Sequence, residues 1–191
     1  MRGTREQKAA TRQHIVAAAG RLFRQHGIDA VGVDAIMHAA GLTHGGFYGH
    51  FASKEALVVE VAAASLARSA ARWERISREN PPDAALAGIV GPYLDPAHVA
   101  EVERGCVLTT LGPEVARRPD ARDEIAASVR VMADALGRCL PDGDKARALA
   151  ALSSMVGAVV LARLADTPEL AEEILAAAKA AVGAADANGA G

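Results

Sequence analysis

Residues 39–57 read AAGLTHGGFYGHFASKEAL. Gly41 separates two short helical patterns, and glycine tolerates the positive φ that a tight turn between helices demands, so the stretch predicts a helix-turn-helix. Thr43 stands at the N-cap of the second helix, expected over about His44 to Phe51. Its exposed start would present Thr43, His44, Gly45 and Gly46. Tyr48, His50 and Lys54 follow as hydrogen-bond donors suited to phosphate. So short a helix with three glycines cannot persist alone and must be held through Phe47 and Phe51.

Upstream, Ile15, Ala18, Ala19, Leu22 and Phe23 recur at three and four, giving one core-facing stripe on a helix from Thr4 to His26 that Gly27 ends. A two-turn helix from about Val33 to Ala40 turns Val33, Ile36 and Ala40 inward. Downstream, Ser53 caps a long helix carrying Leu57, Val61, Ala64, Leu66, Trp73 and Ile76 to near Asn80. Breaks at Pro81–Pro82, Gly91–Pro92, Asp95–Pro96, Gly112–Pro113 and Pro119 divide the middle into short helices. Ile125, Val129, Met132 and Leu136 restore a regular helix over about Asp120 to Leu140, closed by the turn Pro141, Asp142, Gly143. The helix from Lys145 to Leu164 is apolar around more than one face and needs two partners. A last helix begins at Pro168 and runs through Leu170, Ile174, Leu175 and Ala178. Residues 184–191 read as a frayed tail.

The chain has 191 residues, 51% of them hydrophobic, enough for a real core. Excess alanine, leucine and arginine without any strand-like alternation makes the fold all-α. No uncharged apolar run reaches about 18 residues and the first residues form no secretory signal, so a cytoplasmic protein without membrane contact is expected. The net charge of -2 conceals an asymmetry. Residues 1–55 hold seven Lys or Arg against four acids and five of the six histidines, whereas the remainder is acidic. The two ends therefore have different partners. Cys106 and Cys139 show neither metal-site nor disulfide spacing. No metal or cofactor motif appears, nor HExxH, GxSxG or a phosphate-cradling glycine loop, so an enzyme is unsupported.

Ala40, Gly41, Leu42, Thr43, Gly45, Tyr48, His50, Phe51, Ser53, Lys54, Glu55 and Leu57 fit the pattern AGVSxGxxYxHFxSKExL, and on them the chain resembles the TetR family of one-component bacterial regulators over about residues 10–60. The resemblance implies that His44 to Tyr48 lie in the major groove of operator DNA, with Thr43, Tyr48, His50 and Lys54 gripping the backbone. The family usually has a small residue where Met37 sits, a large or polar one at Gly49 and often Thr or Ser near Gly32, and the chain departs from it there. Because Gly46 and Gly49 leave few long side chains to read bases, His44 is the leading reader and Thr43 the second, with part of the specificity left to DNA shape. The DNA-binding set is thus Thr43, His44, Gly45, Gly46, Phe47, Tyr48, His50 and Lys54.

Residues 104–122 resemble a subgroup of the family that carries Gly-Cys at the corresponding place. Cys106 beside a helix start admits two readings: a thiol activated by the helix dipole, or a small buried residue lining a core or pocket. Cys139, near a helix end, is expected to be inert. Trp73, Tyr93, Cys106, Leu108, Met132, Leu136 and Met155 are candidates for an effector pocket, against the alternative of ordinary core. Arg117 and Arg118 suggest either an anion contact or an exposed charged loop. The expectation is a homodimeric regulator, in the first instance a repressor, with residues 1–52 binding palindromic operator DNA and 53–183 binding a small apolar or electrophilic effector. Dimerisation is assigned to the two C-terminal helices. The alternatives are a thiol sensor acting through Cys106 and a sensor working through protein partners without operator DNA.

Overall fold

The computed structural model describes residues 5–141 and 143–184. In chain order the elements are α1 (Arg5–His26), α2 (Val33–Ala39), the 3-10 segment η1 (His44–Gly49), α3 (Lys54–Glu79), α4 (Pro82–Tyr93), α5 (Pro96–Ala100), the 3-10 turn η2 (Val102–Arg104), α6 (Val107–Thr110), α7 (Gly112–Ala116), α8 (Pro119–Gly137), α9 (Lys145–Leu164) and α10 (Pro168–Ala184). No strand occurs among the described residues, and the all-α expectation holds. The helix start expected at Thr4, the turn residue Asp142 and the tail beyond Ala184 lie outside the described residues.

The stripe on α1 buries Ile15, Ala18, Ala19 and Phe23, together with Val16. It packs against α2 and α3, and α2 packs against η1. Ser53 caps α3 as its spacing predicts, with Oγ accepting the Ala56 N–H at 3.1 Å. At 26 residues α3 reaches from the N-terminal helices into the larger helical body, burying Leu57, Val58, Val61, Leu66 and Trp73 along one face. There it lies along α8, which packs on α9, which packs on α10. Helix α9 therefore has the two partners its apolar surface demands. By length and composition it is apolar enough to cross a membrane, but here it buries Leu152, Met155 and Val159 inside the bundle.

Two expected boundaries move. Helix α8 stops at Gly137 rather than Leu140, because Cys139 and Leu140 donate to the carbonyls of Leu136 and Gly137, three residues back, and so tighten the chain into a turn. The second helix of the helix-turn-helix is a 3-10 segment that ends at Gly49, not an α-helix through Phe51. Each glycine costs about 1 kcal/mol relative to alanine in an α-helix, and three in six residues leave the tighter, shorter form.

The segment from α5 to α6 has no long helix to stabilise it, and one side chain from α9 organises it. Arg163 donates to the carbonyls of Val99 (3.1 Å), His98 (3.2 Å) and Thr109 (3.3 Å), and to Thr109 Oγ1 (2.9 Å). A Cβ at Gly105 would lie 2.8 Å from Arg163 Nη2 and 3.2 and 3.3 Å from the carbonyl oxygens of Val102 and Glu101. Only glycine lets this crossing close. Gly105→Ala is accordingly expected to cost about 1–3 kcal/mol through overpacking, read as a fall of several degrees in Tm by calorimetry. An unchanged Tm would show that the loop yields freely.

Candidate nucleic-acid interface

The turn between α2 and η1 is closed by backbone alone. Gly41, at φ +68°, donates to His38 O at 2.9 Å, and Leu42 donates to Met37 O at 2.8 Å. This pair of bonds is a Schellman closure, which requires the left-handed residue that glycine supplies. Thr43 occupies the N-cap of η1 in extended conformation, although its side chain does not cap. Its carbonyl accepts the Gly46 N–H at 3.0 Å.

The expected DNA-binding residues separate by exposure. Thr43, His44, Gly45 and Gly46 are exposed, and Tyr48 is 66% exposed. Phe47 is 0% exposed and cannot touch DNA, which corrects its inclusion in the binding set. It faces inward because η1 has no other large apolar group with which to hold itself to the core. Its ring stacks on Phe51 at 5.6 Å and meets Tyr48 edge-on at 5.3 Å. Met37, a departure from the family pattern, is fully buried, and its Cε would lie 3.5 Å from a Cβ at Gly46. The larger methionine is thus accommodated under the glycine that follows.

His50 is half-buried and its Nδ1 is enclosed without a hydrogen-bond partner. Its carbonyl accepts from Arg12, whose guanidinium also grips both carboxylate oxygens of Glu60 and lies 4.0 Å over the Phe51 ring. Arg12 therefore ties α1, the end of η1 and α3 together. Lys54 is half-buried at the first position of α3, beside the positive end of that helix.

His44 has a partner the sequence did not suggest. Asp34, in the first turn of α2, accepts a hydrogen bond from His44 Nδ1. This leaves Nε2 as the outward-facing ring nitrogen, an acceptor when the ring is neutral and a donor when it is protonated.

The N-terminal helices are joined to the rest by two polar bridges. On one side Gln25 donates to the Glu103 carboxylate, and Arg24 bonds Ser65 Oγ at 2.8 Å and reaches Glu103 O at 3.5 Å. Burial, with the neighbouring charge of Arg68, holds the Arg24 guanidinium below its ordinary pKa. On the other side Glu114 accepts the Ile28 N–H at 2.8 Å, while Arg118 pairs with Asp29 at 2.9 Å and Glu55 at 3.1 Å. Arg118 is therefore neither a free anion contact nor an exposed loop residue, unlike its exposed neighbour Arg117.

The seven candidate pocket residues do not surround one space. Trp73, Tyr93 and Cys106 line a cavity of about 150 Å³ with Ser69, Arg72, Ile89, Pro92, His98 and Arg104. Leu108 lines a second, apolar cavity of about 460 Å³ between α6, α7 and α8. Met132, Leu136 and Met155 are 0% exposed and border neither, so they serve the core, where their helical spacing already places them. Cys106 precedes a helix of only 4 residues, which removes the basis for dipole activation. Cys139 is buried, its thiol directed at Ala135 O at 3.2 Å. Sequence reasoning missed Ser69 and Arg72, although their spacing of four and one from Trp73 puts all three on one face of α3. It also missed His98, whose Nδ1–H donates to Tyr93 O at 2.6 Å while Nε2 accepts the Cys106 N–H at 3.2 Å. Those two bonds fix the orientation of the ring.

Comparison with known proteins gives a family context for the N-terminal part and the fold of the whole. Residues 15–61 match the family described as "Bacterial regulatory proteins, tetR family". The HTH-type transcriptional regulator AcrR of Shigella flexneri is 42% identical over 60 residues, which are 31% of this chain and 28% of that protein. The crystal structure of E. coli NemR in its reduced form superposes with a TM-score of 0.77 at 22% identity, over 91% of this chain and 95% of that one. FadR of Bacillus subtilis, solved in complex with stearoyl-CoA, gives a TM-score of 0.68 at 15% identity, over 91% and 97% of the two chains.

Proposed function

We propose that this chain, whose residues 15–61 match the TetR family of bacterial regulatory proteins, is a homodimeric repressor of that family, binding palindromic operator DNA and released by a small molecule. Residues 1–52 form the DNA-binding domain in this reading, and residues 53–183 the effector-binding and dimerisation domain. The observation that carries it is the exposure of Thr43, His44, Gly45, Gly46 and Tyr48 around a fully buried Phe47, with Lys54 at the first position of α3. Backbone N–H groups, a phenol and an ammonium are the groups that bind phosphate. His44 Nε2 is the group that reads a base edge, and Asp34 orients its ring.

Dimerisation through α9 and α10 is supported by where apolar surface remains uncovered. Leu149 (40% exposed), Leu161 (55%), Leu164 (76%) and Leu170 (41%) are four of the six exposed large hydrophobic side chains among the described residues, and all lie on these two helices. A second copy would bury them in a four-helix interface and set two recognition segments for successive half-sites. The effector reading is supported by the cavity at Trp73, Tyr93 and Cys106, since η2 joins its wall to α1.

A second reading, thiol chemistry as the trigger, is favoured by the location of Cys106 on that cavity wall. It acts at the same site, so the two readings differ in chemistry and not in place.

Gel shifts with DNA from around the gene test the main reading. Lys54→Ala and Tyr48→Ala should weaken binding on every sequence, with only the loss of the lysine charge lowering the salt slope by about 1, whereas His44→Ala should cost about 1–3 kcal/mol on the cognate site and little on scrambled DNA. Equal loss for His44→Ala on both DNAs would remove it as a reader.

Replacing Leu161 and Leu164 together by Glu should give a monomer in sedimentation and lower operator affinity by about a hundredfold or more. A variant that stays dimeric would move the interface elsewhere. For the thiol reading, a maleimide should alter operator binding in the wild type and not in Cys106→Ser; identical responses would leave Cys106 structural.

A further inference from the structure

The Tyr93 hydroxyl has no nitrogen or oxygen partner in the fold and addresses only the Cys106 thiol. Tyr93 is 7% exposed, its ring lies edge-on to Trp73 at 5.4 Å and to His98 at 4.9 Å, and its oxygen is buried without a hydrogen-bond partner. Buried polar groups are almost always satisfied, so an orphan in a cavity marks a place where another molecule completes the bond. The adjoining Cys106 thiol is a weak acceptor at best. Burial first, then Cys106, push the phenol well above its ordinary pKa, so it remains a donor. The missing partner is an acceptor.

The surrounding residues narrow its chemistry. Arg72 and Arg104 line the cavity, are exposed, and have no ion-pair partner among the described residues, and no acidic side chain borders the space. His98 has both ring nitrogens engaged by backbone groups, Tyr93 O and the Cys106 N–H. Trp73, Ile89 and Pro92 supply apolar walls. A volume of about 150 Å³ matches a cavity that accepts one benzene ring.

We propose that this cavity binds a single-ring aromatic carboxylate, the ring against Trp73 and the carboxylate accepting from the Tyr93 hydroxyl, with its charge met by Arg72 and Arg104. The inference deepens the effector reading above and rests on it for the regulatory half only. Arg104 ends η2, and the residue before it, Glu103, is the one held by Gln25 and approached by Arg24 of α1. A ligand that draws Arg104 inward therefore pulls on the contact between the cavity wall and the DNA-binding helices.

The test uses Trp73, the sole tryptophan, as the reporter in the full-length protein without DNA. Titration with benzoate should give a saturable change in fluorescence, half-complete at or below about 10 mM, the affinity that a ligand of this size reaches at ordinary efficiency. Acetate, which lacks the ring, and benzyl alcohol, which lacks the charge, should not saturate over that range. Tyr93→Phe and Arg104→Ala should each weaken benzoate by about tenfold, as loss of a charge-assisted hydrogen bond does. Tyr93→Phe should do so with no fall in Tm, because it removes an unsatisfied group and keeps the ring. No saturation, an equal response to acetate or benzyl alcohol, or unaltered affinity in Tyr93→Phe would each overturn the proposal. Operator gel shifts with benzoate are read separately: binding without release of DNA upholds the ligand site and overturns the effector reading.

Discussion

Six residues with three glycines cannot hold a shape by themselves, and everything at the DNA-facing end of this protein answers to that constraint. The segment His44–Gly49 is fixed from beneath by Phe47 and Met37 and from behind by Arg12, which reaches His50 O, Glu60 and the face of Phe51 at once. Its outer surface is consequently free of structural duty. Thr43, His44 and Tyr48 can be varied without disturbing the core, whereas Phe47, Phe51 and Arg12 cannot. The division between holding and reading runs through single neighbouring residues.

The same economy governs how the two parts of the molecule are joined. Helix α3 is continuous between them, but a helix alone is a poor clamp against rotation. The polar bridges at Glu103 and at Glu114 with Arg118 lie on different elements, η2 on one side and α7 with the start of α8 on the other. Two separated attachments define an orientation. They also explain why the basic N-terminal part retains Asp29 and Glu55: both are held by Arg118.

Much of this was legible in the chain because the signals were local. The α1 stripe, the Ser53 cap, the Gly41 turn and the two-partner helix α9 follow from spacing and backbone chemistry, and each appears where expected. What was not legible depends on partners distant in sequence. Nothing near His44 announces Asp34, nothing near Arg118 announces Asp29, and Arg163 shows its role only once three carbonyls from 98–109 surround it. The pocket set failed in part for a related reason: helical spacing tells which residues face inward but not whether they meet packing or space. Met132, Leu136 and Met155 meet packing; Trp73, Tyr93 and Cys106 border space.

Arg163 grips its loop mainly through main-chain oxygens, and main-chain oxygens are the same whatever the side chains are. The path of the segment around the cavity is therefore insulated from the identity of most residues that line it. If the cavity holds the effector as proposed, substitutions at positions such as 69, 72, 93 or 104 would change what it recognises while the wall keeps its course and its attachment to α1. On that proposal a lineage would exchange one small-molecule signal for another by point mutation and inherit the connection to α1 intact, so long as Gly105 leaves room for the guanidinium.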